Sequence, residues 1–303
     1  MTGQEGDPQN DADGEFQRVR FEQPAPRVAR IVLARPEAAN AQDYLMLSEL
    51  NTALDRAAQD ASIGVIIVAA DGKHFSSGHD LRDLHPDMSE FPIIGTAAHF
   101  EADGAEGYMD REREVYLTYC RRWRDIPKPT IAQVQGKVIA GGLMLVWPFD
   151  LIVCAGDATF CDPAVTLGAN GVEYFVHPYE LGVRLAKDML FTGRTMTAQE
   201  ALHHGMVQRI FHRDELADQT LQLAARIAER PAISLAMAKR SVNAAQTAMG
   251  IDQTLESAFA MHHLLHNHWV RVDGSMAPVG SEEAVRTMMR EGPMPGLEQI
   301  SPA

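Results

Sequence analysis

Apolar residues fall into different rhythms along the chain, and each rhythm dictates a different element. Val19 and Phe21, followed by Val28-Ala-Arg-Ile-Val-Leu33, predict short strands over Arg18–Glu22 and Val28–Leu33 separated by a proline-containing turn. Over Asp43–Gln59, Leu47, Leu50, Leu54 and Ala58 recur at helical spacing, which predicts a helix with one buried face. Ile63–Ala70 is a nearly continuous apolar run rich in β-branched residues, the pattern of a strand covered on both sides. Pro129–Gln135 predicts another strand, Gly141–Trp147 a short buried helix, and Asp150–Cys154 a return to strand. Strand and helix alternate with short connections, so the chain reads as one α/β fold.

After Leu181 helical patterns dominate: Leu181–Phe191, Ala198–His204, Glu215–Arg230, Ile233–Met249, Ile251–Val270 and Ser281–Glu291. Between Leu84 and Asp110, Pro86, Pro92, Gly95, Gly104 and Gly107 interrupt any period, and this predicts a long surface loop of the kind that covers sites. Residues 1–15 are expected to be a disordered acidic tail, 16–195 the core, 196–291 a helical region and 292–303 a second tail. Arg111-Glu-Arg-Glu114 and Arg121-Arg-Trp-Arg124 read as solvated helix faces.

The 303 residues are 46 % apolar, enough to fill a core, and carry a formal charge of −14. That charge argues against nucleic acid, whose recognition needs clustered basic side chains. Met1–Gly14 lacks the basic start and apolar stretch of a secretory signal, and Val138–Phe149 is too short and too broken by glycine to span a bilayer. Cys120, Cys154 and Cys161 have no C-x-x-C spacing, so neither a disulfide framework nor a thiolate metal site is expected, and a cytoplasmic location is.

Nucleotide, zinc-protease and serine-hydrolase motifs are absent from the sequence. The informative segments are two glycine-bearing strand ends, His74-Phe-Ser-Ser-Gly-His-Asp-Leu81 and Gln135-Gly-Lys-Val-Ile-Ala-Gly-Gly-Leu143. Glycine allows tight turns and close ligand approach, and two turn amides aimed together would make an oxyanion hole. Phe75-Ser-Ser-Gly-His-Asp-Leu81, Pro129–Gly136, Ala140-Gly-Gly142, Phe149-Asp-Leu151, Phe160-x-x-Pro163, Leu167-Gly168 and Phe191-Thr-Gly-Arg194 resemble, in order and spacing, the enoyl-CoA hydratase/isomerase (crotonase) family. Arg35-Pro-Glu-Ala-Ala-Asn-Ala41 is similar to that family's CoA-embracing stretch.

The resemblance implies an α/β, crotonase-like spiral of repeated ββα units with a helical C-terminal trimerisation region. It also implies an acyl-CoA thioester as ligand, a homotrimer or dimer of trimers, and no cofactor beyond the CoA of the substrate. The thioester oxygen would sit on the main-chain amides of His79 and Gly141. Ala39, Ala41, Ser77, Asp80 and Leu81 would meet the ligand from the first half of the site. Gly142, Met144, Pro163, Ala164 and Leu167 would meet it from the second. His79 departs from the small residue usual at its position, although only its N–H is required.

A larger departure concerns proton transfer. Family hydratases place glutamates at the positions of Met144 and Ala164, and neither of these side chains can move a proton. Replacement groups are expected from Asn170–His177, with Glu173, Tyr174 and His177 as candidates, and from Asp162. A carboxylate in an apolar acyl pocket is expected to have a raised pKa, as a general acid needs. His262 and His266 share a helix face at metal-ligand spacing, but no acidic or cysteine third ligand is evident nearby, so no metal is expected. Two functions follow: an enzyme using Glu173, Tyr174 or Asp162 for hydration, isomerisation or C–C cleavage, or an acyl-CoA binder that has lost hydratase activity.

Overall fold

The computed structural model describes residues 16–81, 100 and 102–291. The expected tails and most of the loop expected over Leu84–Asp110 lie outside these residues, and within that span a helix has already begun at Ala105.

The strands β1 (Val19–Ala25) and β2 (Val28–Leu33) form an antiparallel hairpin. β3 (Val65–Ala70), β4 (Thr130–Val134), β6 (Leu151–Ala155) and β9 (Arg209–Phe211) then add in parallel, giving the order β1-β2-β3-β4-β6-β9. Alternation along β3 explains why its sequence is apolar throughout. Ile66 and Val68 enter one core with α1 (Tyr44–Gln59) beneath them, while Val65, Ile67 and Ala69 enter another with Leu216, Ala224 and Ala228 of α7 (Leu216–Ala228).

A smaller sheet joins β5 (Lys137–Ile139), β7 (Thr159–Cys161) and β8 (Met196–Thr197). Consecutive strands therefore alternate between sheets, β4 then β5 and β6 then β7, before the chain turns into helical structure. This is the expected repeat of ββα units. β8 and β9 complete the two sheets beyond residue 195, so the expected boundary between core and helical region is crossed by strands. β5, β7, β8 and β9 were not anticipated, since two or three residues are too few to display a period of two.

The segment before β4 is helical throughout: α2 (Ala105–Glu112), a π-helical turn over Arg113–Thr118, and α3 (Tyr119–Arg124). The reading of these basic stretches as solvated faces is corrected here. Glu112, Glu114 and Trp123 are buried, while Arg113 and Arg121 pair with Glu256. The remaining helices are α4 (His177–Leu181), α5 (Val183–Thr192), α6 (Ala198–His203), α8 (Ala232–Ala248), α9 (Ile251–Asp273) and α10 (Ser281–Glu291). No helix among the described residues is long and apolar enough to cross a membrane.

A short hydrogen-bonded knot fixes the entrance to the site. Ala39 and Asn40 both take left-handed backbone angles, φ 50° and 51°, which an asparagine tolerates better than most residues. The buried Asn40 side chain accepts from Arg35 N at 2.9 Å and donates to the carbonyls of Asp71 at 2.9 Å and His74 at 3.0 Å. Asn40→Ala leaves these groups without their partner and is expected to cost about 2–3 kcal/mol, measured as a fall in the urea unfolding midpoint.

Candidate active site

The site begins where β3 runs out. Ser76 bridges to β5, donating to Lys137 O at 3.2 Å and accepting from Ile139 N at 3.1 Å, and its hydroxyl donates to Asn40 O at 2.8 Å. Gly78 then takes φ +93°, an angle open to glycine at little cost, which resets the alternation of the strand. Gln42 N donates to Gly78 O and Asp80 N donates to Gln42 O, each at 2.8 Å, and so the amide between them, that of His79, is turned away from Gln42. On that far side lies the end of β5. A Cβ added to Gly78 would stand 2.8 Å from Ile139 O and 3.3 Å from Gly141 N.

Gly141 is held there by a second forced turn. Ala140 carries φ +47°, and the chain enters a 3-10 turn over Ala140–Leu145 instead of continuing β5. A Cβ on Gly141 would fall 2.6 Å from His79 Cε1 and 2.8 Å from its Nδ1, so the imidazole occupies the room that glycine leaves. The two glycine junctions singled out in the sequence are thus in contact.

A cavity of about 170 Å³ opens beside them, and His79, Gly141, Tyr116, Ala164, Leu167 and Glu173 are among its walls. His79 is fixed on two sides: its ring stacks on Tyr116 with centroids 4.2 Å apart, and its Nε2 lies 3.2 Å from Glu173 Oε2. Burial pushes the Glu173 carboxyl upward, but the charges of His79 and His262 and the hydrogen bond from His79 outweigh it and hold the group well below the usual carboxylate range. The expectation of a raised carboxyl pKa is therefore corrected: the sequence showed an apolar pocket but not the imidazoles facing it. Burial pushes His79 downward, the Glu173 carboxylate more than compensates, and the imidazole is left above its ordinary value. The two side chains are in hydrogen-bond contact, Glu173 buried and His79 partly so.

Other candidates are placed elsewhere. Asp162 is fully buried, accepting from Ala164 N at 2.9 Å and Val172 N at 3.0 Å, with His177 Nε2 2.7 Å from its Oδ2. It ties the loop after β7 to the start of α4 and does not line the cavity, and neither does His177. Tyr174 is 1 % exposed and faces a separate cavity of about 180 Å³ with Arg124 and Glu180. The structure thus places Asp162, Tyr174 and His177, expected as acid/base groups, outside the cavity beside His79 and Gly141. Chain proximity to the F-x-x-P segment says nothing of side-chain direction.

Met144 is buried in the main core and Gly142 packs against Ser76, so neither lines the cavity, nor does Pro163. Ala164, Leu167 and the half-exposed Leu81 do. Ala39, Ala41, Ser77 and Asp80 gather on the approach: Ser77 N donates to Ala39 O at 3.0 Å, and Arg35 Nη1 reaches Ala41 O at 3.0 Å and Asp80 Oδ2 at 2.8 Å.

The sequence reading missed Tyr108, Glu112 and Tyr116, all of which line the cavity. Their i, i+4, i+8 spacing was the available signal, since it sets three hydrogen-bonding side chains on one helix face. Glu112 also supplies the acidic neighbour that His262 and His266 lacked in sequence, the ligand atoms of the three lying within 4.8 Å of one another.

Two interleaved sheets, with a polar niche at the junction of two glycine turns, define a crotonase-type α/β protein. A model of the enoyl-CoA hydratase/isomerase family matches residues 24–277. A provisionally named enoyl-CoA hydratase of Mycobacterium tuberculosis, EchA13, is 40 % identical over 95 % of this chain and 92 % of its own. A crystal structure described as a probable enoyl-CoA hydratase of Mycobacterium smegmatis is 44 % identical, with a TM-score of 0.78 over 86 % of this chain and 99 % of that one. The structure of an enoyl-CoA hydratase/isomerase from Xanthobacter autotrophicus Py2 is 30 % identical, with a TM-score of 0.74 over 92 % and 99 %. The chain belongs to the enoyl-CoA hydratase/isomerase family.

Proposed function

We propose that the protein is an acyl-CoA enzyme that holds a thioester carbonyl between the main-chain amides of His79 and Gly141 and moves a proton at the adjoining carbons through Glu173. The observation that carries this reading is the buried Glu173 carboxylate in the cavity wall, 3.2 Å from the imidazole of His79, the ring that packs against Gly141. Charge-stabilising and proton-transferring groups then meet at one contact, between His79 and Glu173.

In a hydration, Glu173 takes a proton from water as the water oxygen bonds to Cβ, and the π pair moves onto the thioester oxygen. Fixed amide dipoles stabilise that charge without reorganising. The carbonyl re-forms as Glu173 returns the same proton to Cα. In an isomerisation, Glu173 takes the proton from Cα and returns it to Cγ. Met144 and Ala164 supply no acid/base group at the two positions where the family hydratases carry glutamates.

The same absence favours a second reading, an acyl-CoA binder that has lost hydratase activity. A panel of 2-enoyl- and 3-enoyl-CoA thioesters separates the two: turnover of any member supports the enzyme, whereas saturable binding without conversion across the panel supports the binder.

CoA enters as part of the substrate, with no further cofactor needed for these steps. Exposed apolar residues recur along α8 and α9, among them Ile233, Val242, Met249, Leu264 and Val272, and support assembly into a homotrimer or dimer of trimers. Light scattering in solution is expected to give a threefold or sixfold multiple of the 33.3 kDa chain. Three buried free thiols fit the reducing cytoplasm.

A further inference from the structure

The cluster at the far wall of the cavity has a hydrogen-bonding defect. His262 Nδ1 lies 3.0 Å from Gly171 O, and His266 Nδ1 lies 2.9 Å from Met276 O. Carbonyl oxygens can only accept, so both Nδ1 atoms carry their protons, and in neutral rings both Nε2 atoms are bare lone pairs. Those two atoms face each other at 2.7 Å. Two lone pairs at that separation repel unless a positive centre lies between or beside them.

The surroundings say what the positive centre is. A carboxylate oxygen of Glu112 and one ring nitrogen from each of His262 and His266 lie within 4.8 Å of one another, and Glu173 Oε1 is 3.4 Å from His262 Nε2. Glu112 is 4 % exposed, and its Oε2 accepts no hydrogen bond even though His263 Nε2 comes to 3.2 Å. A proton shared between the two imidazoles would relieve that repulsion but bring nothing to the Glu112 carboxylate, whose Oε2 has only the misaligned His263 Nε2 at 3.2 Å. A divalent cation satisfies all three groups at once.

We propose that Glu112, His262 and His266 form a binding site for one divalent transition-metal cation of the zinc class, open on its remaining side to the cavity. Two imidazoles and a carboxylate are the borderline donors such an ion selects, and three protein ligands with one free position make an open site. The outer shell is already built, because each ring is oriented by a backbone carbonyl through its other nitrogen, which fixes the tautomer that ligation needs. Metal–nitrogen and metal–oxygen bonds of roughly 2.0–2.2 Å put neighbouring ligand atoms a little over 3 Å apart. The rings therefore part by a few tenths of an ångström from their present 2.7 Å, and Glu112 draws in.

The inference does not depend on the thioester reading, and its test reads metal binding alone. The full chain, stripped with a chelator and dialysed, is titrated with Zn(II) by calorimetry and with Co(II) by visible absorption. One equivalent per chain is expected, with the intense cobalt bands of a four-coordinate site. His266→Ala and Glu112→Gln should each weaken binding by more than the roughly 10–100-fold that loss of an outer-shell partner costs. Changing the exposed His203 and His204 to alanine should leave binding unchanged. Glu112→Gln keeps the side-chain shape and decides the matter if His266→Ala does not fold. Substoichiometric binding, or binding that survives both ligand substitutions, overturns the assignment. Acyl-CoA binding measured on the same samples fails or succeeds separately.

Discussion

Glu173→Gln is expected to lower kcat on the best-turned-over enoyl thioester by about 10²–10⁴-fold while changing its Kd by less than about tenfold, the range that general acid–base groups contribute. The split between the two constants is the informative part. Glutamine keeps the volume of the side chain and can still accept at its oxygen from His79 Nε2, now 3.2 Å from the carboxylate, so the ring stays stacked on Tyr116 and the His79 amide keeps its direction. What disappears is the ability to accept and return a proton. Gly141→Ala makes the reciprocal cut. Its Cβ would stand 2.6 Å from a His79 ring that Tyr116 and Glu173 prevent from swinging aside, so thioester binding should fall together with turnover. Turnover surviving in Glu173→Gln, measured by loss of enoyl-thioester absorbance, would move the proton chemistry elsewhere and leave the cavity a binding niche.

The fold was legible because its long elements have long periods. Leu47, Leu50 and Leu54 announced α1, and the unbroken run in β3 announced a strand buried on two faces. His79 and Gly141 were legible too, since glycine at the end of a buried strand narrows what the chain can do next. The remainder of the site depends on direction in space. Glu173 reads as an isolated acid in the sequence; its low carboxyl pKa comes from His79 and His262, each about ninety residues away along the chain. Glu112 and His262 are farther apart still, and the π-helical turn after α2 breaks the helical period by which buried Glu114 could have been told from a solvated face. Asp162 is the converse case: a strand-end acid next to a motif residue, with its carboxylate turned inward to bind its own loop.

Asp162→Asn should therefore be a stability mutation, with an expected loss of about 1–3 kcal/mol, the cost of leaving a buried hydrogen-bonding group without its partner. The carboxylate offers only acceptors, and the structure uses them fully. Oδ1 takes the amide of Ala164, while Oδ2 takes the amide of Val172 and faces His177 Nε2 at 2.7 Å. An asparagine must present its NH₂ to one of these N–H groups. Whichever way it is turned, a buried donor meets a donor, and His177, itself wholly buried, loses its carboxylate partner. Loss of this anchor should free the loop that carries Gly171, Val172 and Glu173 before the sheets are affected, because the acceptor ties that loop to the end of β7. Thermal unfolding followed by circular dichroism is expected to shift well below the wild-type midpoint. At a temperature where the variant is still folded, kcat should remain within about tenfold of wild type, far from the loss predicted for Glu173→Gln. A rate loss of the Glu173 size with an unchanged midpoint would instead place Asp162 in the chemistry.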